Sequence, residues 1–230
     1  MTGTEATSCL RTDRGRLALR RAMVLSVGIA TALAFSECWA PPGQPIPATL
    51  FKPFADNQQW MLAEDVVYTL GTTHVSIKVP AGFVTDFASI PQAFWSFGLS
   101  PNGRYSRAAV IHDFLYWFQP CSRAQADNIL AIAMQESGVS KLKAFEIYQG
   151  VHAGGESAWN QNVLDRKAAL PRVVSLDHMN FGPLVLWPDY QKQLLHDGVR
   201  DPIVNLKPEY CKFGDSQEVP TLKASSTPAK

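Results

Sequence analysis

The stretch RAAVIHDFLYWFQPCSRAQADNILAIAM, residues 107–134, decides the fold. Apolar residues recur in it at helical spacing on both sides of Pro120, and a proline cannot continue the helix that precedes it. The first run predicts a helix from about Ser106 to Phe118. Because the connection to the second run is short, the two helices should pack as an antiparallel hairpin.

The second helix is expected to start at Ser122. Gln125 stands three residues later, which is the capping-box pattern of a helix N-terminus, and Gly138 is typical of the helix end. A third helix is expected over about Leu142–His152, ending at the AGG of residues 153–155. The sequence therefore predicts a third helix packed beside the hairpin.

Two runs before the hairpin, QWMLAEDVVYTLG (residues 59–71) and TTHVSIKVPAGFVTD (residues 72–86), are rich in β-branched and aromatic residues. Such runs favour strands, and the GTT between them favours a turn. We therefore expect a β-hairpin or a small meander. The fold class that follows is α+β: a small antiparallel β-sheet, then an antiparallel helical hairpin plus a third helix.

The N-terminal residues have the plan of a secretory signal. The basic segment RTDRGRLALRRAM (residues 11–23) precedes the apolar run VLSVGIATALAF (residues 24–35), which is shorter than the roughly 20 residues of an ordinary membrane span. Small residues predict cleavage after Ala34, with a cut after Ala40 as the alternative. Residues 1–34 are expected to be a signal peptide, or an inner-membrane anchor if they stay attached.

The rest of the chain divides by composition. We expect a proline-rich linker over residues 35–47 and an α+β core domain over residues 48–155. A helical or irregular extension is expected over residues 156–214. The polar residues 215–230 are expected to form a disordered tail.

Charge and cysteine content limit the function classes. The net charge is +1, which argues against a nucleic-acid-binding protein, and the 46% hydrophobic content is that of a globular chain. The sequence has no Cys-x-x-Cys pair, so a zinc ribbon is not expected. Export to an oxidising compartment permits a disulfide between Cys121 and Cys211, with unpaired, partly buried thiols as the alternative.

The predicted hairpin carries three polar residues, His112, Asp113 and Asp127. At about 100° per residue, His112 faces the inner side of the first helix and Asp127 lies at the rim of the apolar stripe of the second. Both stand at similar heights, so a hydrogen bond between them is expected. A carboxylate that holds an imidazole makes it a general base. Asp113 points to an edge, where it would be free as an oxygen ligand for a hard cation.

These residues also have structural explanations. A histidine on a helix face is usually packed against one partner, and an aspartate in a first turn is favoured by the helix dipole. Asp86, in TDFAS, either bonds backbone N–H groups of a turn or lies near the histidine as a further ligand. In the second case, a mixed nitrogen and oxygen site for zinc or manganese would be formed by Asp86, His112, Asp113 and Asp127. The other histidines without ligand spacing are expected to be structural or exposed: His152, His178 and His196.

The chain resembles the phage- and bacterium-associated family called domain of unknown function 1353 in three blocks: VPAGFVTDFASIPQAFW (79–95), YSRAAVIHDFLY (105–116) and SRAQADNILAIAM (122–134). The resemblance covers about Ala48 to Gly155. Members often occur in prophage settings, which implies a virion-associated or lysis-related role. The positions that match the family's motifs are Asp86, Ser89, Pro91, His112, Asp113, Tyr116 and Asp127.

The hairpin also resembles that of secreted phospholipases A2, in which His-Asp and a following Tyr lie on one helix and the antiparallel helix supplies an Asp. The resemblance implies that His112 activates water and that Asp127 orients His112. It also implies that Asp113 binds calcium, which would polarise the ester carbonyl. Tyr116 and Ser89 are the expected supporting residues.

The leading hypothesis is an exported hydrolase, periplasmic or secreted, that acts on a lipid or another ester with a His–Asp dyad and a divalent cation. Calcium is the expected cation, and zinc or manganese are the alternatives. A membrane lipid or a cell-envelope component is the expected partner. The alternatives are a non-enzymatic envelope or phage-associated binding module, and a transition-metal-dependent hydrolase of another substrate.

Overall fold

The computed structural model describes residues 50–87 and 105–221. Within these residues, short strands come first and helices follow. The strands are β1 (Phe51–Pro53), β2 (Trp60–Leu62), β3 (Val66–Thr69), β4 (Ser76–Val79) and β5 (Val84–Thr85). The α-helices are α1 (Ser106–Phe118), α2 (Arg123–Glu136), α3 (Lys141–Lys167) and α4 (Trp187–His196), and 3-10 turns cover Leu176–His178 and Glu209–Asp215. The predicted α+β class is confirmed.

The strands form two small antiparallel sheets. β2 lies between β1 and β5 in a three-stranded sheet, and β3 pairs with β4 as a hairpin. The turn of that hairpin contains the GTT of residues 71–73. Gly71 adopts a left-handed φ of 56° there, a conformation that suits glycine. The predicted hairpin is therefore present. The strands of the three-stranded sheet precede and follow it in the sequence.

Both faces of the three-stranded sheet are covered. Side chains alternate along a strand, so Met61 and Leu62 of β2 point in opposite directions. Leu62 belongs to the main core with α1 and α2. Met61, which pairs with Val84 of β5, belongs to a second core with Trp187 and Leu194 of α4. The C-terminal extension therefore completes the packing of the sheet.

The helical hairpin has the predicted boundaries. α1 spans Ser106–Phe118, and α2 begins after Ser122. The capping box is formed in both directions, because Ser122 Oγ accepts from the Gln125 N–H and Gln125 Oε1 accepts from the Ser122 N–H. α1 is buried along nearly its whole length, since strands, α2 and α3 all contact it. Polar side chains on α1 therefore need partners inside the protein.

The third helix is longer than predicted. We expected it to end at the AGG sequence, but α3 continues through Gly154 and Gly155 to Lys167. Gly155 lies against α1, where a Cβ would stand 2.4 Å from the Tyr116 hydroxyl oxygen. Beyond the glycines, Asn162 Nδ2 donates to the Tyr116 carbonyl at 3.1 Å. Close packing on α1 thus outweighs the low helix propensity of glycine, and the predicted domain boundary at 155 falls inside a helix.

Replacing Gly155 by alanine is expected to destabilise the protein by about 1–3 kcal/mol, because the added methyl group overlaps the Tyr116 hydroxyl. Gly154→Ala is the matched control, since nothing lies within 4 Å of a Cβ at that position. That control should be neutral, or stabilising by up to about 1 kcal/mol. Urea unfolding measures both variants, and equal free energies of unfolding would contradict the packing explanation.

The beginning of the predicted tail is ordered. The Gln217 carbonyl accepts from Gln135 Nε2 at 2.9 Å, and the Pro220 carbonyl accepts from the Thr72 N–H at 3.1 Å. Disorder was expected from the polar composition of this segment, and that expectation is wrong for these residues. Backbone contacts with the core, which composition does not reveal, hold them in place.

The predicted signal peptide, residues 1–34, and the linker, residues 35–47, lie outside the described residues. Among the helices that the structure describes, none is both long enough and apolar enough to cross a membrane.

A disulfide joins Cys121 to Cys211, whose Cα atoms lie 5.3 Å apart. Cys121 lies in the turn of the helical hairpin, and Cys211 lies in the 3-10 turn Glu209–Asp215, which packs on α2. The bridge predicted from the two cysteines is therefore present, and it ties the C-terminal extension to the hairpin.

Candidate functional site

A buried carboxylate stands where α1, α2 and α3 meet. Asp127 of α2 has 0% exposed surface. Its Oδ1 lies 3.1 Å from His112 Nε2 and accepts from the Tyr116 hydroxyl at 2.6 Å. Its Oδ2 accepts from Arg123 Nη1 at 3.2 Å and lies 3.0 Å from His152 Nδ1. The structure thus brings the predicted pair together and adds two partners on the opposite oxygen.

Burial and hydrogen bonding act in opposite directions on the charge of Asp127. Burial by itself raises the pKa of this carboxyl group. Hydrogen bonds from His112, Tyr116 and His152 outweigh burial and hold the pKa of Asp127 below its ordinary value of 3.8. Asp127 is therefore an anion at neutral pH. The helix pattern placed it at a rim, but it is fully buried because α3 packs on α2.

The anion fixes the tautomer of His112, whose ring is 3% exposed. Because an ionised carboxylate can only accept, Nε2 of the neutral ring carries the hydrogen and Nδ1 keeps its lone pair. Nδ1 has no hydrogen-bond partner among the described residues, although buried polar atoms are almost always bonded. This nitrogen is therefore suited to take a proton from a bound water or a substrate.

Tyr116 lies one helical turn after His112, and the centroids of the two rings are 4.0 Å apart. Burial, and then the neighbouring Asp127, raise the pKa of Tyr116 well above its ordinary value of 10.0, although Arg123 acts against them. The hydroxyl therefore stays protonated and serves as a donor to Asp127. Tyr116 thus lies beside the predicted pair, and its supporting role stays a prediction.

His152 shows no ligand spacing with the other histidines, and it was expected to be structural or exposed rather than part of this site. α3 carries buried or partly buried residues at helical spacing, Ala144, Ile147, Val151 and Gly155, and His152 lies beside this stripe. The stripe was the available signal, because it shows which face of α3 meets the hairpin. Three of these positions already lie inside the predicted helix, about Leu142–His152, so this face was recognisable from the sequence.

Asp113 is part of the fold rather than a free edge residue. Its Oδ2 accepts from the Thr85 hydroxyl and from the Asp86 N–H at 3.2 Å. The same Thr85 oxygen accepts from the Phe87 N–H at 3.0 Å. Asp113 is only 8% exposed, and it ties α1 to the end of β5. The expectation that it points to an open edge is wrong, because β5 packs against this part of α1.

The carboxylate of Asp86 faces Arg172, with 3.9 Å between Oδ2 and Nη2. Ser89 and Pro91 lie outside the described residues. The backbone N–H of Asp86, and not its carboxylate, makes the bond to Asp113.

Replacing Thr85 by valine is expected to cost about 1–3 kcal/mol, because it removes a hydroxyl that serves both Asp113 and the Phe87 N–H. Thr85→Ser keeps the hydroxyl and should retain most of the stability. Thr69→Val, which removes a solvent-exposed hydroxyl bond to Ser76 in the β3–β4 hairpin, is the control for replacing a threonine in a strand. Thermal unfolding distinguishes them, and a Thr85→Val protein as stable as Thr69→Val would contradict the bridging role.

Asp113, the calcium ligand implied by the phospholipase resemblance, already accepts hydrogen bonds within the protein. Calcium takes six to eight oxygen ligands, and one Asp113 oxygen is already bonded to two protein donors. Within residues 50–87 and 105–221, no group of three or more His, Cys, Asp or Glu side chains could hold a metal ion. The binding of calcium, zinc or manganese stays a prediction.

Comparison with known proteins agrees with the blocks in the sequence. Residues 60–151 match the family described as "Protein of unknown function (DUF1353)", which confirms that resemblance. A similar protein, "Uncharacterized protein y4jT" of Sinorhizobium fredii (strain NBRC 101917 / NGR234), is 40% identical over 80 residues. That match covers 34% of this chain and 23% of the relative, so the chain spans under a quarter of the relative's length. No solved structure matches the chain.

Proposed function

We infer that this protein, whose residues 60–151 match the DUF1353 family, is an exported hydrolase in which His112 is the general base and Asp127 orients His112. One observation carries this proposal. His112 is buried, its Nε2 is bonded to an ionised carboxylate, and its Nδ1 has no partner among the described residues. A histidine that serves only packing gains nothing from a buried nitrogen without a hydrogen bond.

The reaction that suits this arrangement is water attack on an ester. Nδ1 of His112 takes a proton from a bound water molecule, and the resulting hydroxide attacks the carbonyl carbon. Asp127 stabilises the imidazolium that forms. When the tetrahedral intermediate collapses, the C–O bond to the alcohol breaks and His112 returns the proton to the leaving oxygen. The products are one carboxylic acid and one alcohol.

Export and a lipid or other ester substrate complete the proposal. The basic and apolar N-terminal segments support export. The Cys121–Cys211 bridge also supports it, because such bonds persist in oxidising compartments such as the periplasm or the exterior. The similarity of the hairpin to that of secreted phospholipases A2 supports an ester of a membrane lipid as the substrate class.

The proposal is tested with purified protein and two substrate sets, phospholipid vesicles and soluble short-chain esters, each with calcium and with a chelator. His112→Ala should lower turnover at least about a hundredfold. His196→Ala, whose side chain is 89% exposed, should leave turnover unchanged. A melting temperature for each variant separates loss of chemistry from loss of fold. If wild type hydrolyses none of these esters, or if His112→Ala retains full turnover, the proposal is wrong.

A non-enzymatic envelope or phage-associated module is the second candidate. It is favoured by the hydrogen bonds of Asp113 and Asp127, because a carboxylate that joins helices and strands stabilises the fold without any catalysis. In that case His112→Ala changes the melting temperature and leaves binding to cell-envelope fractions intact. The two candidates therefore differ in whether His112 matters beyond stability.

A further inference from the structure

His152 differs from His112 in its access to solvent, although both contact the same carboxylate. Its side chain is 43% exposed, against 3% for His112. His152 Nδ1 lies 3.0 Å from Asp127 Oδ2, the oxygen that faces away from the dyad. The ring is stacked nearly parallel on Tyr148, with an interplanar angle of 11°. Stacking on Tyr148 therefore fixes the orientation of the His152 ring that contacts Asp127.

Arg123 links the same elements. Its Nη1 donates to Asp127 Oδ2 at 3.2 Å and to the His152 carbonyl at 2.9 Å. Two donors thus hold Oδ2, one from α2 and one from α3, while Oδ1 is left to Tyr116 and His112. A carboxylate with both oxygens held cannot rotate about its Cβ–Cγ bond without losing hydrogen bonds in a buried site. Its direction toward His112 Nε2 is then fixed.

We propose that His152 is a positioning residue for the hydrolysis, because its bond to Asp127 Oδ2 keeps Oδ1 directed at His112 and so keeps His112 Nδ1 as the free base. This inference rests on the proposed function of the dyad. His152 does not touch the reacting atoms in this scheme. It acts through Asp127, and the small misalignment caused by its loss is enough to lower turnover severely.

The role predicts different behaviour for two substitutions of His152. His152→Phe keeps an aromatic ring against Tyr148 but removes the donor. His152→Asn loses the stacking but carries an amide N–H near the position of Nδ1. If only the stacking of the ring matters, His152→Asn should lose more function than His152→Phe. If the bond to Asp127 positions the dyad, His152→Asn should lose less function than His152→Phe.

The test combines kinetics of ester hydrolysis with ¹⁵N NMR of the His112 ring in the full mature chain. His152→Phe should lower kcat about tenfold to a hundredfold with little change in KM, and its His112 signals should indicate a mixture of tautomers. His152→Asn should restore most of both. If the His112 signals and kcat of His152→Phe match wild type and only the melting temperature changes, the positioning role is wrong. A wild type without ester hydrolysis overturns the proposed function, and the His112 signals still decide whether His152 fixes the tautomer.

Discussion

Replacing Asp127 by asparagine is expected to cost about 3–5 kcal/mol of folding free energy and to lower any His112-dependent activity about a thousandfold or more. Four side chains donate to this one carboxylate in the described residues. An amide has a single acceptor oxygen, and its NH₂ group would face donors such as Tyr116 or Arg123. The charge of Arg123 would also lose its buried counter-ion.

The same substitution would reverse the tautomer of His112. In wild type, the anion accepts from Nε2 and leaves the Nδ1 lone pair free. An amide N–H at position 127 would favour a proton on Nδ1 instead, and the base would be lost. Activity would then fall even under conditions in which the variant stays folded, such as low temperature.

The stability difference between wild type and Asp127→Asn should depend on pH. Hydrogen bonds lower the pKa of Asp127 in the folded protein, although burial opposes them. Such a group contributes stability above its ordinary pKa of 3.8, and this contribution is lost as the pH falls through the folded pKa. The asparagine variant lacks it at every pH. The stability difference between the two proteins should therefore become smaller as the pH falls below about 3.8.

Urea unfolding from neutral to acidic pH measures this convergence. Asp189→Asn is the control, because the Asp189 side chain is 73% exposed and lies 3.9 Å from a lysine. An exposed pair of this kind contributes at most about 1 kcal/mol. If Asp127→Asn unfolds at the same urea concentration as Asp189→Asn, the buried carboxylate does not stabilise the three helices as proposed.

The helical hairpin was predictable because its signals are local. Pro120 ends one helix, and Ser122 with Gln125 starts the next, so only residues close in sequence are needed. The approach of His112 to Asp127 follows from those boundaries and the antiparallel direction. The pair could therefore be proposed without knowledge of the rest of the chain.

The roles of Gly155, His152 and Asp113 were not predictable, because each depends on a residue distant in sequence. Because Gly155 has no side chain, Tyr116 can lie close to it, and this contact stabilises α3 beyond the glycines. His152 enters the site only because α3 lies across α2. Asp113 accepts a hydrogen bond from the strand residue Thr85. Local propensity carries no information on such tertiary contacts.

Loss of the Cys121–Cys211 bridge is the second change with a large expected effect, about 2–5 kcal/mol of folding free energy. The two cysteines are 90 residues apart, and a long closed loop restricts the unfolded chain strongly. In the folded protein, the 3-10 turn around Cys211 contacts α2 through Asn128 Nδ2 to the Gly214 carbonyl at 2.8 Å. Gln125 Nε2 adds a solvent-exposed bond to Asp215, and Tyr210 and Phe213 pack against the main core.

The double variant Cys121→Ser/Cys211→Ser should therefore melt roughly 4–20 °C below the oxidised wild type. Wild type treated with a reductant should melt near the variant, and the variant itself should not respond to reductant. The dyad lies within α1 and α2, whose contacts with each other do not include the bridge, so the variant should keep its His112-dependent activity at temperatures where it is folded. An oxidised wild type that melts with the serine variant would mean that hydrogen bonds and the packing of Gly214, Tyr210 and Phe213 hold the 3-10 turn without help from the bridge.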